Sequence, residues 1–300
     1  MAAMRTAWLR VTNAIPRTRV KLWLAGRLYQ LAKLVYRNDR IIIRRRGITY
    51  AIDLREAIDL SLTVFGSYQP HIARNRAVRL TEDAVIFDIG ANTGVMSLAY
   101  AAQAPRGKVY AFEPTAFALQ RLRKNIAVNP ELEQRILVTQ AFVAQSSAEV
   151  APSKIYASWR VNGAVDTAAH PIHGGIAHST DGVTTTTVDD FCARHGIQKI
   201  DLMKIDTDGH ELQVLRGARQ SIARFRPAVI FEMGLALMAE NGAAFSDFFK
   251  YFHDLSYRLF DSRSNAPVDL NNYHQWIPRW GSFDALAIPQ ERLPRHHEPR

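Results

Sequence analysis

Val85-Ile86-Phe87-Asp88-Ile89-Gly90-Ala91-Asn92-Thr93-Gly94 runs from a strand-forming apolar stretch into a turn of small residues, and Val95 to Gln103 then continues as a helix. A buried strand, a glycine-bearing turn and a helix in that order open an α/β sheet. In such sheets ligands sit at the carboxyl ends of the strands, where glycines let the backbone approach them. Gly90 and Gly94 are spaced G-x-x-x-G. Dinucleotide binding needs G-x-G-x-x-G and a phosphate loop needs a lysine, so pyrophosphate cradling is disfavoured.

Outward from this unit, short apolar runs alternate with helical stretches. Strands are predicted at Val85 to Ile89, Lys108 to Phe112, Ile136 to Thr139, Ile200 to Ile205, Ala228 to Phe231, Tyr257 to Phe260 and Phe283 to Ile288. Helices are predicted at Val95 to Gln103, Ala116 to Ala127, Val188 to His195 and Glu211 to Arg224. That rhythm predicts a doubly wound, mostly parallel α/β sheet, here over residues 81–290. Residues 145–187 break it with four glycines and few apolar side chains, as expected of an inserted loop over the open sheet edge. Upstream, Ile41 to Ile43 and Gly47 to Asp53 read as a hairpin, followed by helix over Glu56 to Arg79 interrupted near Gly66 and Pro70, the hairpin and helices making a lead-in over residues 47–80.

Carboxylates gather at the predicted carboxyl edge. Glu113 ends the second strand, where an acid can hold both ribose hydroxyls of an adenosine-containing cofactor or simply cap the next helix. Asp206 ends Ile200-Asp201-Leu202-Met203-Lys204-Ile205 with no local task and is the better catalytic candidate. Asp208 and Glu211 have capping-box spacing, while His210 in the first helical turn is either an exposed histidine or a neutral base. Glu232, after the fifth strand, could flank one reacting group together with Asp206.

The runs Phe87 to Gly94, Ala111-Phe112-Glu113-Pro114, Thr187 to Phe191 and Ile200 to Glu211, ending Val214-Leu215-Arg216-Gly217-Ala218, resemble the FkbM-type family of S-adenosylmethionine-dependent methyltransferases. The resemblance covers Val85 to Glu232, and Asp53-Leu54-Arg55 through Phe65-Gly66-Ser67-Tyr68 resembles the family's lead-in. It implies a Rossmann-like seven-stranded class I methyltransferase sheet whose last strand, Ser282 to Ile288, runs antiparallel. It further implies S-adenosyl-L-methionine as cofactor, its methionine half lined by Asp88, Gly90, Ala91, Asn92 and Gly94, its ribose held by Glu113. The adenine would lie on Ala141-Phe142-Val143, which lacks the acid often found there. Acceptors of the family are hydroxyls of sugars, glycolipids and secondary metabolites, which assigns the base to Asp206 or His210 and sugar orientation to Glu232.

The formal net charge of +10 over 300 residues invites a nucleic-acid reading, but residues 1–46 hold twelve Lys and Arg against the single acid Asp39, leaving the remainder near neutral. The body is poorly matched to a polyanion, so no nucleic-acid partner is expected. Within the basic arm, Val20, Leu24, Leu28, Leu31 and Val35 form a helical stripe that either lies on an anionic membrane or caps the main domain. An Arg-rich start also fits an organellar transit peptide; otherwise a cytoplasmic enzyme, peripheral at the inner membrane face, is expected. Cys192 stands alone, excluding an intrachain disulfide.

Rival readings are a metal-dependent glycosyltransferase using Asp206 and Asp208 as a D-x-D pair, an NAD dehydrogenase, and a membrane-attached binding module without chemistry. His170, His173 and His178 are a loose trio without a frame to converge them, so no metal is assigned. Trp159, Trp276 and Trp280 are candidates for stacking on sugars or for packing, and residues 291–300 read as a flexible tail.

Overall fold

The computed structural model describes residues 17–161, 174–277 and 282–293. The chain opens with α1 (Arg17–Val35), a hairpin of β1 (Arg40–Arg45) and β2 (Ile48–Asp53), then α2 (Ala57–Phe65) and α3 (Pro70–Ala73). The βα units follow: β3 (Val85–Ile89), α4 (Val95–Gln103), β4 (Lys108–Phe112), α5 (Ala116–Ala127), α6 (Pro130–Glu133) and β5 (Ile136–Thr139). Next come β6 (Ala141–Val143), β7 (Lys154–Ser158), β8 (Ile176–Ser179), β9 (Thr184–Thr186) and α7 (Val188–His195). The last third holds β10 (Leu202–Ile205), α8 (Glu211–Gly217), α9 (Arg219–Phe225), β11 (Ala228–Met233), α10 (Leu235–Glu240), α11 (Phe245–Asp254), β12 (Tyr257–Asp261), β13 (Pro267–Val268) and β14 (Phe283–Pro289).

The central sheet has the order β13-β12-β14-β11-β10-β3-β4-β5. β11, β10, β3, β4 and β5 are parallel, and β14 runs antiparallel between β11 and β12. This is the seven-stranded methyltransferase arrangement with the antiparallel strand where expected, extended to eight by the two-residue edge strand β13.

Strand alternation sorts the core into two layers. Ile86, Ala111, Leu202, Ile230 and Leu286 face a cluster that also contains Tyr29, Tyr50, Leu60, Leu98 and Leu122, from the N-terminal elements, α4 and α5. Phe87, Phe112, Met203, Phe231 and Ala285 face the other cluster, with Phe191, Leu215, Phe248 and Phe252 of α7, α8 and α11. Cys192 is buried in this second layer.

Three regions differ from expectation. The predicted helix Glu211 to Arg224 is divided at Ala218, and the preceding Gly217 packs on Ala144, where a Cβ would lie 2.1 Å from the carbonyl oxygen. Among the described residues of the 145–187 segment, β7 and β8 pair as an antiparallel ribbon and β9 pairs with β6, in place of the expected irregular loop. The ribbon had no apolar alternation to announce it; it is held by the lead-in, where Glu56 accepts from the Ser158 hydroxyl at 2.8 Å and the Trp159 amide at 3.1 Å. The hairpin straddles residue 46, so the basic arm is continuous with the body.

α1 has a buried face and an exposed one. Tyr29 and Ala32 are buried on the domain, and the Tyr29 hydroxyl donates to Asp39 at 2.8 Å. Trp23, Leu24, Leu31, Leu34 and Val35 stay exposed, Leu34 by 83%. No helix among the described residues is long and apolar enough to cross a membrane. At the other terminus, Glu291 forms a two-point ion pair with Arg226, 2.8 Å at each contact. Residues 294–300 lie outside the described residues.

Candidate active site

The parallel register builds the site. Lys204 stands opposite Asp88, Ile205 opposite Ile89 and Phe231, and Ile89 opposite Phe112. Gly90, Glu113, Asp206 and Glu232 are each the next residue, so the first three leave the sheet level with Glu232, which is still in β11. Alternation also places Asp88, Glu113, Lys204, Asp206, Glu232 and Asp284 on the face shared by Ile86, Ala111, Leu202, Ile230 and Leu286, beneath the N-terminal elements.

The glycine loop is tied down on both sides. The Gly90 and Ala91 amides donate to the Phe112 carbonyl at 3.0 and 2.9 Å. Gly90 has φ +76°, and a Cβ there would sit 1.8 Å from the Asp206 carbonyl oxygen. The glycine is therefore demanded first by the neighbouring strand end, not by a ligand. Asp206 thus has a backbone task after all, docking the loop, while its side chain stays partly exposed.

Lys204, invisible as a site residue in sequence, is the cation at the centre. It is 4% exposed, donates to the Gly90 carbonyl at 2.8 Å, and lies 3.3 Å from Asp88 and 3.5 Å from Asp206. Burial works against its charge, but the Asp88 and Asp206 carboxylates outweigh it and raise the ammonium above its ordinary value. Asp88, fully buried, also accepts from the Ser97 hydroxyl at 2.5 Å. Glu113 accepts from the Asn92 amide at 3.0 Å and from the Thr115 amide and hydroxyl at 2.9 and 2.6 Å. Burial raises the Glu113 carboxyl, and these donors oppose it.

The other half of the edge is crowded with acids. Glu232 and Asp284 stand directly opposite each other across the antiparallel β11–β14 ladder, where like charges repel. His71 of α3 meets Asp284, its Nε2 2.7 Å from the carboxylate. Burial, then Asp206, Asp208 and Asp284, push the Glu232 carboxyl well above its ordinary value. Burial and Asp206 do the same to Asp208.

The expected capping box is not formed. Asp208 and Gly209 take φ +50° and +104°, which delays the helix until its N-cap, His210. Glu211 instead clamps the turn, accepting from the Thr207 and Gly209 amides at 2.8 and 3.2 Å. Asp208 is thereby released to the carboxylate group. His210 is one residue short of the helical turn in which it was expected. Its ring meets Phe142 edge-on at 5.4 Å, on the side of the 141–143 turn, and burial lowers its pKa.

Sequence reasoning missed Lys204, Ser97, Thr115, His71 and Asp284, and gave Asp208 to a cap or to the rival D-x-D pair. A lysine inside a four-residue apolar strand, at the same parity as Asp88, was the available signal for the first. His71 and Asp284 are far apart in the chain and carried none. Of the histidine trio, His178 stacks on Phe117 at 3.9 Å, while His170 and His173 lie outside the described residues, as does Trp280. Among the described residues no three His, Cys, Asp or Glu side chains converge to hold a metal ion.

Residues 88–259, more than half of the chain and the whole carboxylate edge up to β12, match the model of the methyltransferase FkbM domain. The chain belongs to this family. Among curated relatives of the FkbM methyltransferase, the 2-O-methyltransferase NoeI of Sinorhizobium fredii is 26% identical over 150 residues, 48% of this chain and 61% of that protein. The hexuronic acid methyltransferase AglP of Haloferax volcanii is 26% identical over 143 residues, 47% of this chain and 52% of its own. The chain thus spans between about half and three fifths of these relatives. A solved FkbM methyltransferase from Methylobacillus flagellatus superposes with a TM-score of 0.43 at 16% identity, over 70% of this chain and 44% of that one. The family is one of methyltransferases.

Proposed function

We propose that this FkbM methyltransferase transfers the methyl group of S-adenosylmethionine to a hydroxyl of a sugar-containing acceptor, a glycan, glycolipid or related metabolite. What carries this is the division of the sheet edge into a donor-saturated pair, Asp88 and Glu113, and an acid-crowded group around Asp206 and Glu232. The relatives named for 2-O-methylation and for hexuronic acid favour a sugar acceptor.

The residues fit the cofactor. Asn92 Oδ1 is buried with no hydrogen-bond partner among the described residues, an acceptor left over in the loop assigned to the methionine half. Glu113, fixed by three donors, retains lone pairs for ribose hydroxyls. Asp88, Gly90, Ala91 and Gly94 complete the wall. When bound, the sulfonium supplies a methyl carbon that a hydroxyl oxygen can attack in line, with a neutral thioether leaving.

The chain's own work is alignment and proton removal. Asp206, beside the Lys204 ammonium, takes the hydroxyl proton. Glu232, whose environment favours the neutral acid, donates a hydrogen bond to the acceptor. His210, turned to Phe142, belongs to the adenine side and leaves Asp206 as the base. Asp206→Asn is expected to lower methyl transfer from labelled S-adenosylmethionine to glycan acceptors by roughly 10²- to 10⁴-fold, with cofactor binding kept. Full turnover in that variant would overturn the assignment.

The exposed face of α1 supports peripheral contact with an anionic membrane. Trp23, Leu24, Leu31, Leu34 and Val35 are all exposed there, and the Arg27 guanidinium lies over the Trp23 ring. Leu31→Glu/Leu34→Glu is expected to weaken binding to phosphatidylglycerol vesicles; unchanged co-sedimentation would refute the contact.

A further inference from the structure

A second concavity lies on the same sheet face as the carboxylates, between the hairpin turn, the end of α2, α3 and α4. Its walls carry Arg45, Arg46 and Arg74, with Tyr50, Ser67 and Tyr68 between them. Three arginines line this one cleft, and no carboxylate among the described residues pairs with any of the three.

The arginines are not a chance solvated patch. Arg45 is anchored, its guanidinium donating to the Thr63 carbonyl at 3.0 Å and the Arg44 carbonyl at 3.2 Å, which leaves further N–H groups of the fork unused. Arg46 occupies the first position of the two-residue hairpin turn at φ +50°, where Asn or Gly would sit at lower cost. Its exposed side chain lines the cleft with Arg74 and Tyr50. Both guanidiniums pull the Tyr50 hydroxyl down, against the burial that pushes it up to about 12. Buried Ile48 and Leu62 close the floor, a low-dielectric base that strengthens attraction for an anion.

Tyr68 links this cleft to the reaction site. It lines the cleft and packs on the N-terminal core layer, three residues before His71, which reaches Asp284. Asp206 and Glu232 are close enough to Tyr68 to raise its phenol after burial has done so, keeping it a hydrogen-bond donor.

We propose that the Arg45–Arg46–Arg74 cleft is a phosphate-binding subsite on the acceptor side of the enzyme, so that the methylated molecule or the surface carrying it bears a phosphate group. Guanidinium forks match phosphate oxygens in pairs, and Tyr50 and Ser67 supply neutral donors beside them. The phosphate could be part of the acceptor itself or of a lipid headgroup around it, and the subsite rests on the sugar-methylation reading only for its partner's identity.

The test uses the full chain. Calorimetric titration with inorganic pyrophosphate is compared between wild type and Arg46→Gln/Arg74→Gln, beside co-sedimentation with phosphatidylcholine vesicles made with and without phosphatidylglycerol. S-adenosylmethionine binding, measured on the same samples, reports the fold and the cofactor site independently; if the double variant loses it, Arg74→Gln alone takes its place. Pyrophosphate affinity falling roughly tenfold or more in the variant, with cofactor binding unchanged, supports a subsite for a soluble phosphorylated group. A loss of phosphatidylglycerol-dependent sedimentation in the variant supports a headgroup. Neither probe weakening in the variant, or neither binding to wild type, overturns the subsite, while absence of cofactor binding in wild type would strike the methyltransferase reading instead.

Discussion

The two halves of the carboxyl edge use the same side chain to opposite ends. On the β3–β4 half the acids are saturated with donors: Asp88 by Ser97 and Lys204, Glu113 by the Asn92 amide and by Thr115. On the β10–β11–β14 half Asp206, Asp208, Glu232 and Asp284 crowd together, with Lys204 beside Asp206 and His71 on Asp284. A carboxylate met by fixed donors is a geometric anchor. Glu232 and Asp208, met by other carboxylates, hold on to a proton and can donate a hydrogen bond at a reaction site. Lys204 is the shared member, touching Asp88 with one side and Asp206 with the other.

Removing that shared cation should therefore have the largest effect. Lys204→Met leaves Asp88, fully buried, with a neighbouring methyl in place of an ammonium. Breaking a buried pair in this way costs about 3–5 kcal/mol, read as a lowered urea midpoint at unchanged slope. A loss under about 1 kcal/mol would mean that the two halves are not coupled through Lys204.

Ser97→Ala probes the anchor half alone. The hydroxyl donates to a buried carboxylate, so its loss should cost about 1.5–3 kcal/mol of stability and weaken S-adenosylmethionine binding. The pH dependence of turnover should not move, since the acids that hold protons lie across the sheet. A shifted pH profile in Ser97→Ala would erase the distinction between the halves.

The contrast was half legible in the chain. Strand–turn–helix periodicity and the G-x-x-x-G loop located β3, β4, β10 and β11 to within a residue or two, because buried parallel strands are short uninterrupted apolar runs. Register then follows from the topology, and with it the line of Gly90, Glu113, Asp206 and Glu232. Other features depended on contacts that no local pattern encodes. The β7–β8 ribbon is held by Glu56, about a hundred residues upstream, and the His71–Asp284 pair joins a lead-in helix to the last strand. Asp208 was assigned to a cap because Asp-x-x-Glu is a strong local signature; two left-handed residues in succession overrode it. The strand lysine was legible in principle, since alternation alone places Lys204 on the Asp88 side.

Glu232→Gln carries the smallest effect at neutral pH and the sharpest diagnostic. The Glu232 carboxyl is raised in the folded protein above its ordinary value of 4.5, first by burial and then by Asp206, Asp208 and Asp284. A group raised on folding contributes stability that is whole below its unfolded value and is lost as the pH climbs through the native one. Ionisation there also adds a charge opposite Asp284 and ends the hydrogen bond that the neutral acid donates. Wild-type turnover and thermal midpoint should therefore fall together as the pH rises above 4.5 through the native value. Glutamine keeps a donor of the same shape and cannot ionise, so the variant should keep turnover and lose that fall in stability with rising pH. An unchanged fall with rising pH in Glu232→Gln would show that the proton on the reactive half belongs to another of its acids, with Asp208 next in line because burial and Asp206 raise it in the same way.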